Sequence, residues 1–348
     1  MNYPKFASFT VTNACNLRCK MCGQWSEEGY MHRENNNPRQ QMKLEAWKRL
    51  VDELVENNIK SVLIRGGEPF LYPSIAQLLQ YLIQKGMFVS IDTNGTFLDK
   101  YAELLVKLKK VHITISVDGP EQIHDEVRGV PGTFAKIKQG LRELRKYETE
   151  HKTEISTSMT FTISQYNYKY LGEMPDIARK LKIKTMVIVP YFYVPVKFGK
   201  AYEKELNDQF GCKGFTWNGF HHEESGIDIE EFKIQHQKYL DNLKEIDSYP
   251  YLPLLEDEYK NWFANFTTPV GEQSCCNIDN LIDIQPTGEV NFCVDTPDYS
   301  FGNVRENSVY ELWNNEKAKA FRELRRSKML SICNRCVARY MSVERTSS

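Results

Sequence analysis

The chain has 348 residues, 41% apolar and 26% charged, and its 45 Lys and Arg nearly balance 46 Asp and Glu for a formal net charge of −1. These proportions describe an ordinary globular chain of one large or two modest domains and exclude the strong basic field that sequence-independent nucleic-acid binding needs. No stretch approaches the roughly 18 to 20 apolar residues that cross a bilayer, and the opening MNYPKFASFTVT has no secretory signal pattern. A cytoplasmic protein with neither a nucleic-acid nor a membrane partner is expected.

The first two hundred residues alternate short β-rich runs with longer helical patterns. Strands are predicted at Phe6–Thr12, Ser61–Arg65, Met87–Asp92, His112–Val117, Glu154–Thr162 and Lys184–Pro190, each rich in Val, Ile, Thr, Phe or Ser. Between them, Met42–Asn57 places Leu44, Trp47, Val51, Leu54 and Val55 at three- and four-residue spacing. Similar helical patterns cover Ser74–Gln84, Lys100–Leu108, Thr133–Tyr147 and Asn167–Leu181. Parallel strands need crossovers of this length, so the pattern predicts an α/β protein whose parallel sheet curls into a partial or full barrel, with functional loops at the strand C-termini. The rhythm fails from about residue 198 to 270, where one helical pattern, Ile229–Ile246, stands among mixed aromatic, Gly and charged residues. This stretch reads as an insertion. The last section holds a hairpin signal, NLIDIQPTGEVNFCVD, turning at Pro286-Thr287-Gly288, and then a helix from Ser308 to Arg326.

Nine cysteines are grouped as three near the start and five near the end, with Cys212 between. In a reducing compartment, thiols grouped this way are more often metal ligands or catalysts than disulfides. Cys15-x3-Cys19-x2-Cys22 follows the first strand directly, and its soft thiolates could surround one metal centre. Zinc with His32 as a fourth ligand and a four-iron cluster with one iron left open both suit this local motif.

The same three-cysteine loop after a first barrel strand resembles the signature of the radical S-adenosylmethionine (radical SAM) superfamily, and further stretches match it in order. Gly66-Gly67-Glu68-Pro69 ends the second strand and resembles the segment that meets the amino group of S-adenosylmethionine, with glycine carbonyls and the Glu68 charge facing an ammonium. Thr93-Asn94-Gly95 and Ser116-Val117-Asp118-Gly119 end the third and fourth strands and resemble segments near the ribose and methionine parts of the cofactor, which makes Asn94, Ser116 and Asp118 candidates. Arg128, in His124-Asp125-Glu126-Val127-Arg128-Gly129, matches the arginine that holds the cofactor carboxylate. Met21 departs from the pattern, occupying a place usually taken by an aromatic residue beside the adenine.

In the second cysteine group, four thiols could bind zinc or a fully ligated cluster. Gly288-x4-Cys293, Phe301-Gly302-Asn303-Val304 and a helix before Cys333-x2-Cys336 resemble the SPASM/twitch auxiliary-cluster module. No cysteine follows Cys336, which favours the shorter, twitch-like form with Cys275, Cys293, Cys333 and Cys336 as ligands and Cys275 preferred over Cys276.

The resemblance implies a partial (β/α)6 barrel over residues 1–197, an insertion on the substrate side over 198–272, and a small C-terminal α+β auxiliary-cluster domain over 273–348. It further implies two 4Fe-4S clusters, bound S-adenosylmethionine and a one-electron donor such as flavodoxin or ferredoxin. A 5′-deoxyadenosyl radical then takes hydrogen from a small molecule or short peptide, with the auxiliary cluster as electron acceptor in a net oxidation. No leader-binding domain is recognised ahead of the barrel, so the expected substrate is a small sugar- or polyol-like intermediate, with a peptide crosslinked or epimerised as the alternative; a non-catalytic zinc or iron-sulfur protein is the alternative of another class. Cys212 is a candidate hydrogen-atom donor, or simply a small buried apolar residue. His221 and His222 could serve as a general base, and Tyr191-Phe192-Tyr193 and the aromatics of Phe215–Phe220 could line a pocket at the barrel mouth.

Overall fold

The computed structural model describes residues 3–32, 37–252, 255–266, 268 and 275–337. Six strand-helix units follow one another: β1 (Phe6–Thr10), α1 (Leu44–Glu56), β2 (Ser61–Arg65), α2 (Ile75–Gln84), β3 (Phe88–Thr93), α3 (Leu98–Leu108), β4 (Val111–Ser116), α4 (Glu121–Arg128), α5 (Thr133–His151), β5 (Ser156–Ile163), α6 (Met174–Lys180) and β6 (Thr185–Pro190). Every neighbouring pair from β1 to β6 is parallel and sequential, the arrangement of a partial (β/α)6 barrel.

Strand alternation separates two environments. Along β4, Val111, Ile113 and Ile115 are buried, while His112, Thr114 and Ser116 are half-buried on the opposite face. The apolar face meets the helices: Trp47 of α1 lies 4.7 Å from the ring of Phe9, and Leu78, Leu79 and Leu82 of α2 are fully buried. Burying each such side chain contributes about 1.5–3 kcal/mol. The other face, with Ser8, Thr10, Arg65, Asp92, Thr114 and Ser158, is polar and forms the barrel lumen.

The insertion is more regular than its sequence suggests. It forms α7 (Val196–Phe210), α8 (Ile229–Asn242), β7 (Asp247–Pro250) and α9 (Glu256–Phe263). β7 has no alternating apolar pattern and exists because it docks in parallel on the open edge of β6. At the opposite edge, after α10 (Asn277–Asn280), the predicted hairpin forms as β8 (Leu281–Ile284) and β9 (Glu289–Asn291), followed by β10 (Gly302–Asn303). β8 pairs with β1, so the C-terminal region continues the barrel sheet into ten strands.

Two expected helices are interrupted. The pattern at Asn167–Leu181 begins as a 3-10 turn, Tyr168–Glu173, before Pro175 opens α6, a position where proline loses no helical hydrogen bond. The helix expected over Ser308–Arg326 divides into α11 (Val309–Asn314) and α12 (Glu316–Ser327). Asn315 takes an extended backbone there, and its side chain accepts from Ala318 N at 2.8 Å and donates to Phe301 O at 2.7 Å.

Candidate active site

The three-cysteine loop is held by backbone pairing that continues beyond β1 and β2. Gly67 N donates to Thr12 O and Glu68 N to Ala14 O, both at 2.8 Å, which brings the Gly66–Pro69 segment against the residues leading into Cys15. A Cβ on Gly66 would stand 2.5 Å from Thr12 O, and one on Gly67 would stand 2.4 Å from Ala14 O. Close approach of two backbones is thus what these glycines permit.

Glu68 braces the strand ends behind this segment. It is fully buried, and its carboxylate accepts from Phe70 N (3.2 Å), Thr93 Oγ1 (2.8 Å) and Asn94 N (2.8 Å), bracing the ends of β2 and β3 together. Burial outweighs these donors and pushes its carboxyl up to about 7. Pro69 starts the short 3-10 turn Pro69–Leu71 that follows. Asn94 reaches the cysteine loop itself: its Nδ2 donates to Asn16 Oδ1 at 3.0 Å, Asn16 Nδ2 donates to Thr96 Oγ1 at 3.0 Å, and Thr96 Oγ1 donates to Asn94 Oδ1 at 2.7 Å. Asn16, next to Cys15, escaped sequence reading because only the fold brings this closed amide ring together.

Arg128 lies at the end of α4, strapped to the loop by Arg18 N donating to Arg128 O (3.2 Å) and Lys20 N to Val127 O (2.9 Å). Its guanidinium pairs with the fully buried Asp118 at 2.5 Å and reaches Cys19 Sγ at 3.8 Å. Asp118 also accepts from Thr162 N (3.1 Å), while its own N–H donates to His124 Nδ1 (3.1 Å). Asp118 and Arg128 thus form one buried pair beside a cysteine. Ser116 ends β4 on the lumen face, half-buried opposite Thr160. Met21 is buried in the main core.

Cys15, Cys19 and Cys22 lie close enough to act on one another electrostatically. Burial first, and then the neighbouring thiols, push Cys15 up to about 11 and Cys19 up to about 12, and burial raises Cys22 as well. Thiols raised in this way would need a cationic centre to stabilise their thiolates, and iron would supply it. At the second site Cys293 is enclosed, and its thiol is raised by burial and by Cys333, Cys275 and Cys336. Cys276 instead turns its sulfur to Asn277 Oδ1 at 3.6 Å. Among the described residues no three His, Cys, Asp or Glu side chains converge as ligands of a single ion.

The insertion walls the first site. A Cβ on Gly23 would stand 2.1 Å from the Phe220 ring, and Phe215 meets Tyr30 edge to face at 6.4 Å. Asp298, from the C-terminal region, holds this wall by accepting from Phe215 N (3.0 Å), Thr216 N (3.2 Å), Thr216 Oγ1 (2.5 Å) and Tyr202 Oη (3.1 Å). Tyr191 and Tyr193 flank His222 edge to face at 5.4 and 5.5 Å, and Gln165 contacts His222 Nε2 at 3.0 Å. His221 instead faces Glu223 at 3.2 Å. Cys212 lies past the end of α7, its Sγ 3.9 Å from Leu206 O and its thiol raised by burial and Asp298. Arg335, between Cys333 and Cys336, is fully buried, donates to Tyr193 O at 3.3 Å and to Trp262 O, and covers the Trp262 ring at 4.6 Å.

A three-cysteine loop following the first of the parallel barrel strands, with a second group of cysteines in the C-terminal region, fits a two-cluster iron-sulfur enzyme. Sequence comparison agrees: the radical SAM superfamily profile matches residues 9–177, and the SPASM profile, an iron-sulfur cluster-binding domain, matches residues 275–337. The chain belongs to the radical SAM superfamily and carries a C-terminal SPASM domain, so S-adenosylmethionine and two 4Fe-4S clusters are its cofactors.

Among curated relatives, Fe-coproporphyrin III synthase of Methanosarcina barkeri is 25% identical over 316 residues, covering 88% of this chain and 72% of that protein. The subtilosin biosynthesis protein AlbA of Bacillus subtilis is 24% identical over 323 residues, covering 89% of this chain and 60% of its own length. Streptococcus suis SuiB, solved with its precursor peptide SuiA, superposes with a TM-score of 0.64 at 16% identity, over 97% of this chain and 71% of that one. None of these three is named for a sugar or polyol, and the expectation of such a substrate finds no support in them. No helix among the described residues is long and apolar enough to cross a membrane.

Proposed function

We propose that this enzyme modifies a peptide, removing hydrogen from one of its residues in a net oxidation. The observation that carries this reading is the barrel lumen. Arg65 faces it, and although burial opposes the guanidinium charge, Asp283, Asp295 and Asp92 outweigh that effect. Asp92 and Asp295 are reached by water. A polar lumen in which three carboxyls surround one arginine suits the polar groups of a peptide, and Arg65 favours the charged form of Asp92 and Asp283 although burial raises both. AlbA, named for the biosynthesis of a bacteriocin, and SuiB, solved with a precursor peptide, support the same direction.

When bound, the cofactors supply the hard chemistry, a 5′-deoxyadenosyl radical at the three-cysteine site and an electron sink at the four-cysteine site. The chain's own residues position and exclude. Glu68, Asn94 and Asn16 fix the cysteine loop, Asp118 and Arg128 place a buried charge pair beside Cys19, and we assign Gly66, Gly67, Pro69 and Ser116 to the same cofactor-facing rim. The wall Phe215–Phe220 closes the mouth against solvent. A small one-electron donor such as flavodoxin or ferredoxin completes the system. Cys212, turned towards Leu206, is better suited to packing than to hydrogen donation.

The test is anaerobic turnover with a deuterated peptide encoded by a short open reading frame beside the gene. Deuterium in 5′-deoxyadenosine, with a peptide product lighter by two hydrogens, is expected. Turnover of coproporphyrin with no deuterium transfer from any such peptide would overturn the reading.

A further inference from the structure

The turn that carries the last two cysteines is anchored on the insertion. Glu205 of α7 accepts from Ser331 N at 2.8 Å and from Ser331 Oγ at 3.0 Å, and Cys336 N closes the turn on Cys333 O at 3.2 Å. Between the two cysteines stands the fully buried Arg335. It donates to Tyr193 O at 3.3 Å, to Asn261 O at 3.5 Å and to Trp262 O, and it lies 4.6 Å over both the Trp262 and the Phe266 ring. Asn261 and Trp262 belong to the last turn of α9, where carbonyls have no N–H of their own helix to meet and the dipole favours a cation. Tyr193 leads instead into the wall of the first site. The next residue, Val194, donates to Phe220 O at 2.9 Å and accepts from His222 N at 3.1 Å, and the Phe220 ring covers Gly23, which follows Cys22. A continuous run of contacts therefore leads from Cys336 to the first cysteine loop through one guanidinium. Because a buried guanidinium is costly unless its N–H groups are met, turn and wall hold one mutual position.

We propose that Arg335 is a positioning residue through which assembly of the four-cysteine site orders the wall over the first site. Iron held by Cys333 and Cys336 fixes both ends of the turn, and with them the guanidinium between. The Tyr193 carbonyl and the pairing of Val194 with Phe220 and His222 are then held as well. The inference goes beyond the substrate assignment and does not depend on it, since it concerns what holds the wall and not what lies beneath it.

The experiment is hydrogen-deuterium exchange of the reconstituted holoenzyme, read by mass spectrometry on peptides containing Val194 and His222. R335Q and C333A form a double-mutant cycle, with iron per chain measured for each protein. Emptying the second site by C333A should speed exchange at these amides at least tenfold in the wild-type background and less than twofold in R335Q, where the link is already cut. Wild-type exchange in C333A, an equal acceleration in both backgrounds, or an acceleration that extends equally to α2 would overturn the proposal. Should R335Q take up no iron at the second site, R335K decides, because a single ammonium cannot reach three carbonyls at once. Exchange about tenfold faster than wild type at Val194 and His222 with the second site loaded supports the role, and wild-type exchange there refutes it.

Discussion

Gly219 and Gly23 meet backbone to backbone: a Cβ on Gly219 would stand 2.0 Å from the Gly23 carbonyl oxygen. Gly23 follows Cys22 directly, so the insertion, which matches neither profile, is in contact with the first cluster loop. Because the blocking atom is backbone, Gly219→Ala cannot be absorbed by a rotamer change and should destabilise the fold by about 1–3 kcal/mol. It should also loosen the three-cysteine loop. Denaturant midpoints and iron content per chain measure both effects, and a variant with wild-type values for each would show that this contact carries no strain.

The two cysteine groups should separate in function. Replacing Cys15, Cys19 or Cys22 by Ala is expected to abolish 5′-deoxyadenosine formation. Cys333→Ala should retain part of it and lose product, because its change lies at the second site. Quantifying both products in single turnover checks this; equal coupling in wild type and C333A would mean that the auxiliary cluster is dispensable.

Two buried groups give stability opposite pH slopes. Burial lowers His124 from 6.5 to about 3, so its contribution is present above pH 6.5 and is lost as pH falls towards 3, on the order of 5 kcal/mol in full. Burial raises Glu68 from 4.5 to about 7, so its contribution is present below pH 4.5 and is lost as pH rises through 7, on the order of 3 kcal/mol. Between pH 7 and pH 5, H124N, which keeps an acceptor for Asp118 N, should lose less stability than wild type, and E68Q should lose more. Urea midpoints of the apo chain at both pH values test this, and parallel slopes in all three proteins would contradict it.

Asp298 should couple the wall to the chemistry. Asp298→Ala removes the carboxylate that accepts from Phe215 N, Thr216 N and Thr216 Oγ1, and Thr216→Val removes only the last of these donors. We expect D298A to raise substrate-independent 5′-deoxyadenosine release several-fold as water enters, with T216V intermediate. Melting temperatures separate this from unfolding, and an unchanged release rate in a folded D298A would dismiss the role.

Much of the site was legible because its residues are local in sequence. Cys15, Cys19 and Cys22 fall within eight residues, and Gly66–Pro69, Asn94 and Asp118 each follow a strand whose composition announces it. Periodicity located six strands and their helices, since one face of each must be apolar to cover the core. Asn315 shows the limit: an apolar pattern continues across it, and its capping bonds to Ala318 N and Phe301 O decide that the helix breaks there.

By itself, then, the amino-acid sequence determined the order of strands and helices, the two groups of thiols and the family they point to, all properties of short segments. Tertiary structure alone decided the rest. It made a strand of Asp247–Pro250 through pairing with β6, joined β8 to β1, put Gly219 on Gly23 and gave Glu68 three donors. Each of these joins groups far apart in the chain, and what holds them is backbone pairing and burial that exist only once the barrel has closed around them.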